Sequence, residues 1–209
     1  VLAVAWIAVA VAVGADWFAR WRHDAGLENV TKPAATIAIA TVALVVADDA
    51  PTVAIGAAIV AFACCLAGDV ALLPSVDRFV IGLASFLVGH IAFVVMFAAI
   101  GFESVLLAVV AATAMAALGG TLGVRIVRGA STADAGLAVP VMAYLGVIST
   151  MTVAGWATGG TAAIAGATLF VTSDTILGWR AFVAERRWMS LAVMITYHGA
   201  LVGLAVSLA

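Results

Sequence analysis

Asp69 and Asp174 stand in matching apolar contexts, Leu66-Ala67-Gly68-Asp69-Val70-Ala71-Leu72 and Phe170-Val171-Thr172-Ser173-Asp174-Thr175-Ile176-Leu177. Each is a small residue, an Asp, two spacers and a Leu, late in a run long enough to cross a bilayer. A carboxylate in such a place costs about 2.5–3.5 kcal/mol to insert. Two of them, half the chain apart in a chain with so few charges, suggest a site inside the membrane. The further polar groups at membrane depth are Lys32, His90, Tyr144, Tyr197, His198 and Ser173. Structural roles compete for each. A carboxylate can cap a helix or pair with an interfacial Arg, Lys32 can snorkel to the headgroups, and the histidines and tyrosines can be hydrogen-bonded core. Asp16, Asp24, Asp77 and Asp134 lie near segment ends, where solvation is expected.

Other chemistries find little support. Two Asp and two His could in principle bind a metal, but no pair has the i, i+4 spacing of helical ligands, so neither a metal nor a cofactor is expected. Cys64 and Cys65 are adjacent in an apolar run and read as two small buried thiols. There is no G-x-S-x-G elbow and no phosphate-binding glycine loop, and no serine carries the marks of a nucleophile.

The elements that must position these groups are transmembrane helices. The 209 residues are 66% hydrophobic and only 10% charged, against about 25% charged in soluble domains. Eight apolar segments, near 1–19, 31–47, 51–73, 79–100, 104–124, 136–154, 160–180 and 189–208, approach the roughly 20 residues that span a bilayer. None alternates as a barrel strand would. The expected fold is an all-α, eight-helix membrane bundle in one domain, 1–209, tightened by abundant Ala and Gly. The N-terminal run has no basic residue before it and reads as a spanning helix rather than a leader. No basic run suggests nucleic acid as a partner.

Charge orients the bundle. All nine basic residues, Arg20, Arg22, Lys32, Arg78, Arg125, Arg128, Arg180, Arg186 and Arg187, fall in or beside odd-numbered connections. The even ones carry Asp48, Asp49 and Glu103 instead. The positive-inside rule then places both termini outside and the odd connections in the cytoplasm, as in an inner or plasma membrane protein. Asp69, Asp174, Lys32, His90, Tyr144, Tyr197 and His198 would share the cytoplasmic half. The halves, about 1–103 and 104–209, each carry an Asp late in their third helix and a His midway along their fourth, which suggests a duplication into two parallel four-helix repeats.

At the level of motifs the chain resembles the YhhN family of integral membrane proteins, which includes the lysoplasmalogenases. The resemblance rests on Lys32-Pro33 opening the second helix, Ala67-Gly68-Asp69-x-x-Leu72, Gly82-Leu83-x-x-Phe86-x-x-Gly89-His90, Tyr144-x-x-x-Ile148-x-x-Met151, Gly166-Ala167-x-Leu169-Phe170-x-x-Ser173-Asp174-x-x-Leu177 and Thr196-Tyr197. These occur in the family's order across nearly the whole chain. The chain departs from the pattern at His198 and Leu201, where a Tyr and a Gln are usual, and at Phe93, where an aromatic hydroxyl is. The resemblance implies an eight-helix hydrolase that cleaves the vinyl ether bond of lysoplasmalogens to a fatty aldehyde and a glycerophospho-base, with a lysophospholipid-type substrate. Asp69 and Asp174 would be the acid/base pair, and Lys32 would meet the phosphate. A small proton-coupled transporter, or a lipid-binding protein without turnover, is the rival that intramembrane carboxylates also suit.

The charge pattern makes the topology testable. In a variant with Cys64 and Cys65 replaced by Ala, Asp49→Cys should react with an impermeant thiol reagent on intact cells, and Arg128→Cys only after permeabilisation. Equal reactivity would overturn the assigned orientation.

Overall fold

The computed structural model describes residues 1–209, and the eight-helix bundle predicted from hydropathy is what the chain forms. The helices are α1 (Leu2–Arg22), α2 (Ala25–Val46), α3 (Thr52–Ala71), α4 (Phe79–Ile100), α5 (Val105–Ala133), α6 (Ala138–Ala157), α7 (Thr161–Phe182) and α8 (Met189–Val206). Each is long and apolar enough to cross a membrane. Short connections make sequential helices antiparallel, so α1, α3, α5 and α7 end where α2, α4, α6 and α8 begin. The basic residues gather at that end of the bundle, which we call the basic end.

Two boundaries differ from the sequence expectation. α2 starts at Ala25 instead of near 31, because the Asp24 side chain caps it, accepting from Leu27 N at 3.0 Å. Lys32-Pro33 therefore lies inside the helix rather than opening it. Pro33 removes one rung of the hydrogen-bond ladder without ending the helix. α5 runs on to Ala133 instead of stopping near 124, so Arg125 and Arg128 are helical. The glycine-rich stretch Gly119–Gly123 does not break it but widens into a single π-helical turn before α-geometry resumes at Val124.

The core forms where small residues let backbones meet. α3 lies close against α4, and a Cβ on Gly68 would fall 2.6 Å from the Phe86 ring. α7 lies equally close to α8 through Gly166 and Gly203, whose added Cβ atoms would meet Leu204 N and Gly166 Cα, each at 2.7 Å. Across the halves, α2 packs on α8 and α4 on α6. Phe62, Phe93, Phe97, Phe170, Ile148, Met151 and Leu204 fill the interior. α5 is the outlier: before its π turn only Ala111 is buried.

Backbone contact of this kind tolerates no side chain. Gly166→Val should lower the thermal stability of the detergent-solubilised protein by about 1–3 kcal/mol. Gly146→Ala, where nothing lies within 4 Å of the new Cβ, should not. Equal melting of the two variants would refute the close contact.

Candidate active site

Asp69, two residues before the end of α3, is fully buried and takes donors from two other helices. From α2, Thr36 Oγ1 donates to its Oδ2 at 2.5 Å and Lys32 Nζ stands 3.3 Å from Oδ1. Lys32 Nζ also reaches the Asp69 carbonyl at 3.5 Å. From α8, Tyr197 OH donates to Oδ2 at 2.8 Å. Lys32 and Thr36 are i, i+4 on α2 and so share one face. Every neighbour offers protons and one is an ammonium, which is the environment of an ionised carboxylate.

The absence of a side chain at Gly68 matters here. Phe86 rests against the bare α-carbon and packs edge-on against Tyr197, with ring centroids 5.8 Å apart. The tyrosine that bonds Asp69 is thereby held by the glycine that precedes Asp69.

Asp174 is arranged on the same plan with different groups. Tyr144, from α6, donates its hydroxyl to Oδ2, and His90, from α4, places Nε2 at 3.7 Å from the same oxygen. His90 Nδ1 lies 2.6 Å from the Phe86 carbonyl. A carbonyl only accepts, so Nδ1 carries the hydrogen, and in the neutral ring Nε2 is left as an acceptor with no other partner. No lysine or arginine lies within ion-pair distance of Asp174. Phe170 joins the two centres, its ring 4.5 Å from His90 and 5.6 Å from Tyr197.

Both aspartates line one cavity of about 400 Å³, with Lys32, Ser173, Tyr197 and, nearer the basic end, Arg20, Arg180 and Ser190. A second, narrower slot of about 40 Å³ adjoins it. Asp174 lines both, as do Leu72, Phe79, Phe86 and Leu177. Leu83, Ile126, Val141 and Leu145 extend the slot between α4, α6 and the last turns of α5. Polar and apolar spaces thus meet at Asp174.

The structure places Asp69, Asp174, Lys32 and Tyr197 on one cavity, Tyr144 on the adjoining slot, and His90 on neither, though it meets Asp174. Ser173 lines the cavity but donates its hydroxyl to the Val193 carbonyl at 3.1 Å. His198 is diverted: Trp17 Nε1 donates to its Nδ1 at 3.1 Å, and it touches neither carboxylate. Lys32 does not snorkel; it is 4% exposed and holds Asp69. Asp16 is not solvated either. It is fully buried and accepts from Thr31 Oγ1 at 3.2 Å, because α1 and α2 pack along their length there. Thr36 is not singled out by composition, although its i, i+4 spacing from Lys32 is a signal in the sequence. Arg20 is not singled out either, because a terminal arginine of α1 resembles any other interfacial cation. No three His, Cys, Asp or Glu side chains converge as a metal site would require.

A family model, that of the YhhN family, matches residues 27–208. No curated protein and no solved structure matches the chain. The matched span holds every group around both aspartates and leaves α1 outside it.

The Lys32–Asp69 pair can be tested by a double-mutant cycle. Lys32→Met strands a buried carboxylate and should destabilise the solubilised protein by about 3–5 kcal/mol. Adding Asp69→Asn should restore most of that loss. Additive losses would mean that the two charges do not interact.

Proposed function

From the premise that this chain belongs to the YhhN family, we propose that it is a membrane-embedded lysoplasmalogenase-like hydrolase acting through Asp69 and Asp174. The observation that carries the proposal is that the two carboxyl groups line one cavity in unlike surroundings. The enclosing bundle is a single transmembrane domain, and the basic end, with the cavity, is assigned to the cytoplasmic side by the positive-inside rule.

Vinyl ether hydrolysis begins with proton transfer to the alkenyl carbon remote from oxygen, which leaves an oxocarbenium ion. Asp174 is the proton donor in this scheme, since Tyr144 and His90 are its partners and no fixed cation demands its charge. Asp69, kept anionic by Lys32, Thr36 and Tyr197, stabilises the positive charge on carbon and oxygen. Water adds to the cationic carbon and gives up a proton to the Asp174 carboxylate, which restores the acid. The hemiacetal then breaks its carbon–oxygen bond to the glycerol, with one proton moved from its hydroxyl to the departing oxygen. The products are an aldehyde and a free glycerol hydroxyl, with no net proton change. The division of labour parallels that of the carboxyl pairs of glycosidases.

The lining suits an amphiphile. The cavity presents charged groups, and the slot beyond Asp174 is walled by Leu, Ile, Val and Phe. A single-chain lipid with its headgroup in the cavity and the start of its chain in the slot would carry its vinyl ether bond past Asp174.

Purified protein given a lysoplasmalogen and, separately, the matching acyl lysophospholipid should release aldehyde from the first and no fatty acid from the second. Asp69→Asn and Asp174→Asn should each cut aldehyde release by about 10²–10⁴-fold, the usual range for lost acid–base catalysis. The double variant should be little worse than either alone. Near-normal turnover by a monodisperse Asp→Asn protein would remove that residue from the mechanism, and no aldehyde from the wild type would remove the hydrolase.

A further inference from the structure

The hydrolytic scheme leaves Arg20, at the cavity, without a task. Arg20, in the last turn of α1, has a side chain only 15% exposed. Its guanidinium crosses to α8, where Nη1 meets Ser190 Oγ at 3.3 Å and Nη2 lies 3.8 Å from Met194 Sδ. Nη2 also pairs with Glu28 Oε1 at 2.7 Å, while Nε is buried with no partner. Arg20 and Ser190 both line the cavity that holds the two aspartates. The other cations there are less available. Lys32 is committed to Asp69, and Arg180 is held by Glu185 through both Nε and Nη2, each at 2.8 Å.

We propose that Arg20 and Ser190 bind the phosphate of a lipid headgroup. The proposal rests on the reading of the cavity as a lysophospholipid site and names the groups that hold that lipid's polar end. Glu28 holds one side of the guanidinium and fixes its direction. Nη1 spends a charged donor on a neutral hydroxyl at a long distance. Phosphate oxygens accept from a guanidinium at shorter range. Ser190, whose oxygen accepts from Arg20, keeps its own hydroxyl hydrogen for a phosphate oxygen. Arg20 lies outside the span matched by the family model, so the assignment concerns this chain's own α1. A headgroup anchored at Arg20 would also direct the chain away from α1 and α8, towards Asp174 and the slot.

The test measures binding without turnover, so that its failure and that of the hydrolase scheme remain distinct. The probes are a saturated 1-O-alkyl lysophospholipid, which contains no vinyl ether, the same 1-O-alkylglycerol without phosphate, and inorganic phosphate. Wild-type protein in detergent should bind the phospholipid about tenfold or more tighter than the alkylglycerol, as charge-assisted hydrogen bonds to one phosphate would give. Arg20→Gln should abolish most of that preference while alkylglycerol binding persists, and Arg20→Lys should restore part of it. Ser190→Ala should reduce the preference several-fold, which keeps the test decisive if Arg20→Gln does not fold. An unchanged preference in folded Arg20→Gln or in Ser190→Ala would overturn the site. So would inorganic phosphate binding as tightly as the phospholipid, since that would make the ligand a soluble phosphate. Loss of aldehyde release in the wild type, with the Arg20-dependent preference intact, would strike the hydrolase scheme and leave this site standing.

Discussion

A carboxylate buried in a bundle of this kind must find its hydrogen-bond donors on other helices, because its own backbone is already spent on the helical ladder. Asp69 meets that constraint with Lys32, Thr36 and Tyr197, and in doing so ties α2, α3 and α8 together at one end of the molecule. Much else follows from it. Gly68 admits Phe86, Phe86 backs Tyr197, and Phe170 carries the packing across to His90 and the second aspartate. An ionised pair inside apolar walls contributes little net stability, since desolvation offsets much of its Coulomb gain. What the pair does is join α2 to α3 at the cavity.

The two aspartates are served in the same way by corresponding helices. Asp69 in α3 is approached from α2 and α8, and Asp174 in α7 from α6 and α4. Exchanging the halves turns each set into the other, and it also turns the α2–α8 contact into the α6–α4 contact. The correspondence is one of helix position, not of residue identity. What differs between the two centres is the chemistry. The first half surrounds its carboxylate with a lysine and two hydroxyls, and the second uses a tyrosine and a histidine. A symmetric pair of like groups would have had no reason to differ in protonation. The unlike surroundings provide one.

Helix number and the grouping of the site residues were legible because both depend on one-dimensional signals. Apolar run length sets the spans, and the alternation of basic and acidic connections sets which ends coincide, which placed Asp69, His90, Tyr144, Asp174 and Tyr197 at a common depth. Depth says nothing about azimuth. His198 has a suitable depth, yet it turns to Trp17, and no periodicity distinguishes it from Tyr197 beside it. The snorkelling alternative for Lys32 fails because α2 begins at Ala25, ahead of its apolar run, and carries Lys32 deeper into the bundle. The polar stretch Gly26-Leu27-Glu28-Asn29 resembles a loop until Asp24 is recognised as its cap. The expected solvation of Asp16 fails because burial near a helix end depends on how tightly two neighbours close, and α1 and α2 close over Asp16.

The π turn at Gly119–Gly123 has an effect on the wall of the apolar slot. One residue more than a regular turn advances the helix phase by about 100°. The long, lipid-facing first part of α5 and its basic end therefore present different azimuths to the bundle. That twist brings Ile126 and Ala130 inward against Val141, and Ile126 against Gly178 of α7, whereas the preceding turns bury almost nothing. α5 is thus a rod with a re-indexed tip. Its shaft is free to drift in composition with the surrounding lipid, while its last turns are held in register as one wall of the apolar slot. Removing a single residue within Gly119–Gly123 would leave the span long enough to cross the bilayer and would turn that wall outward.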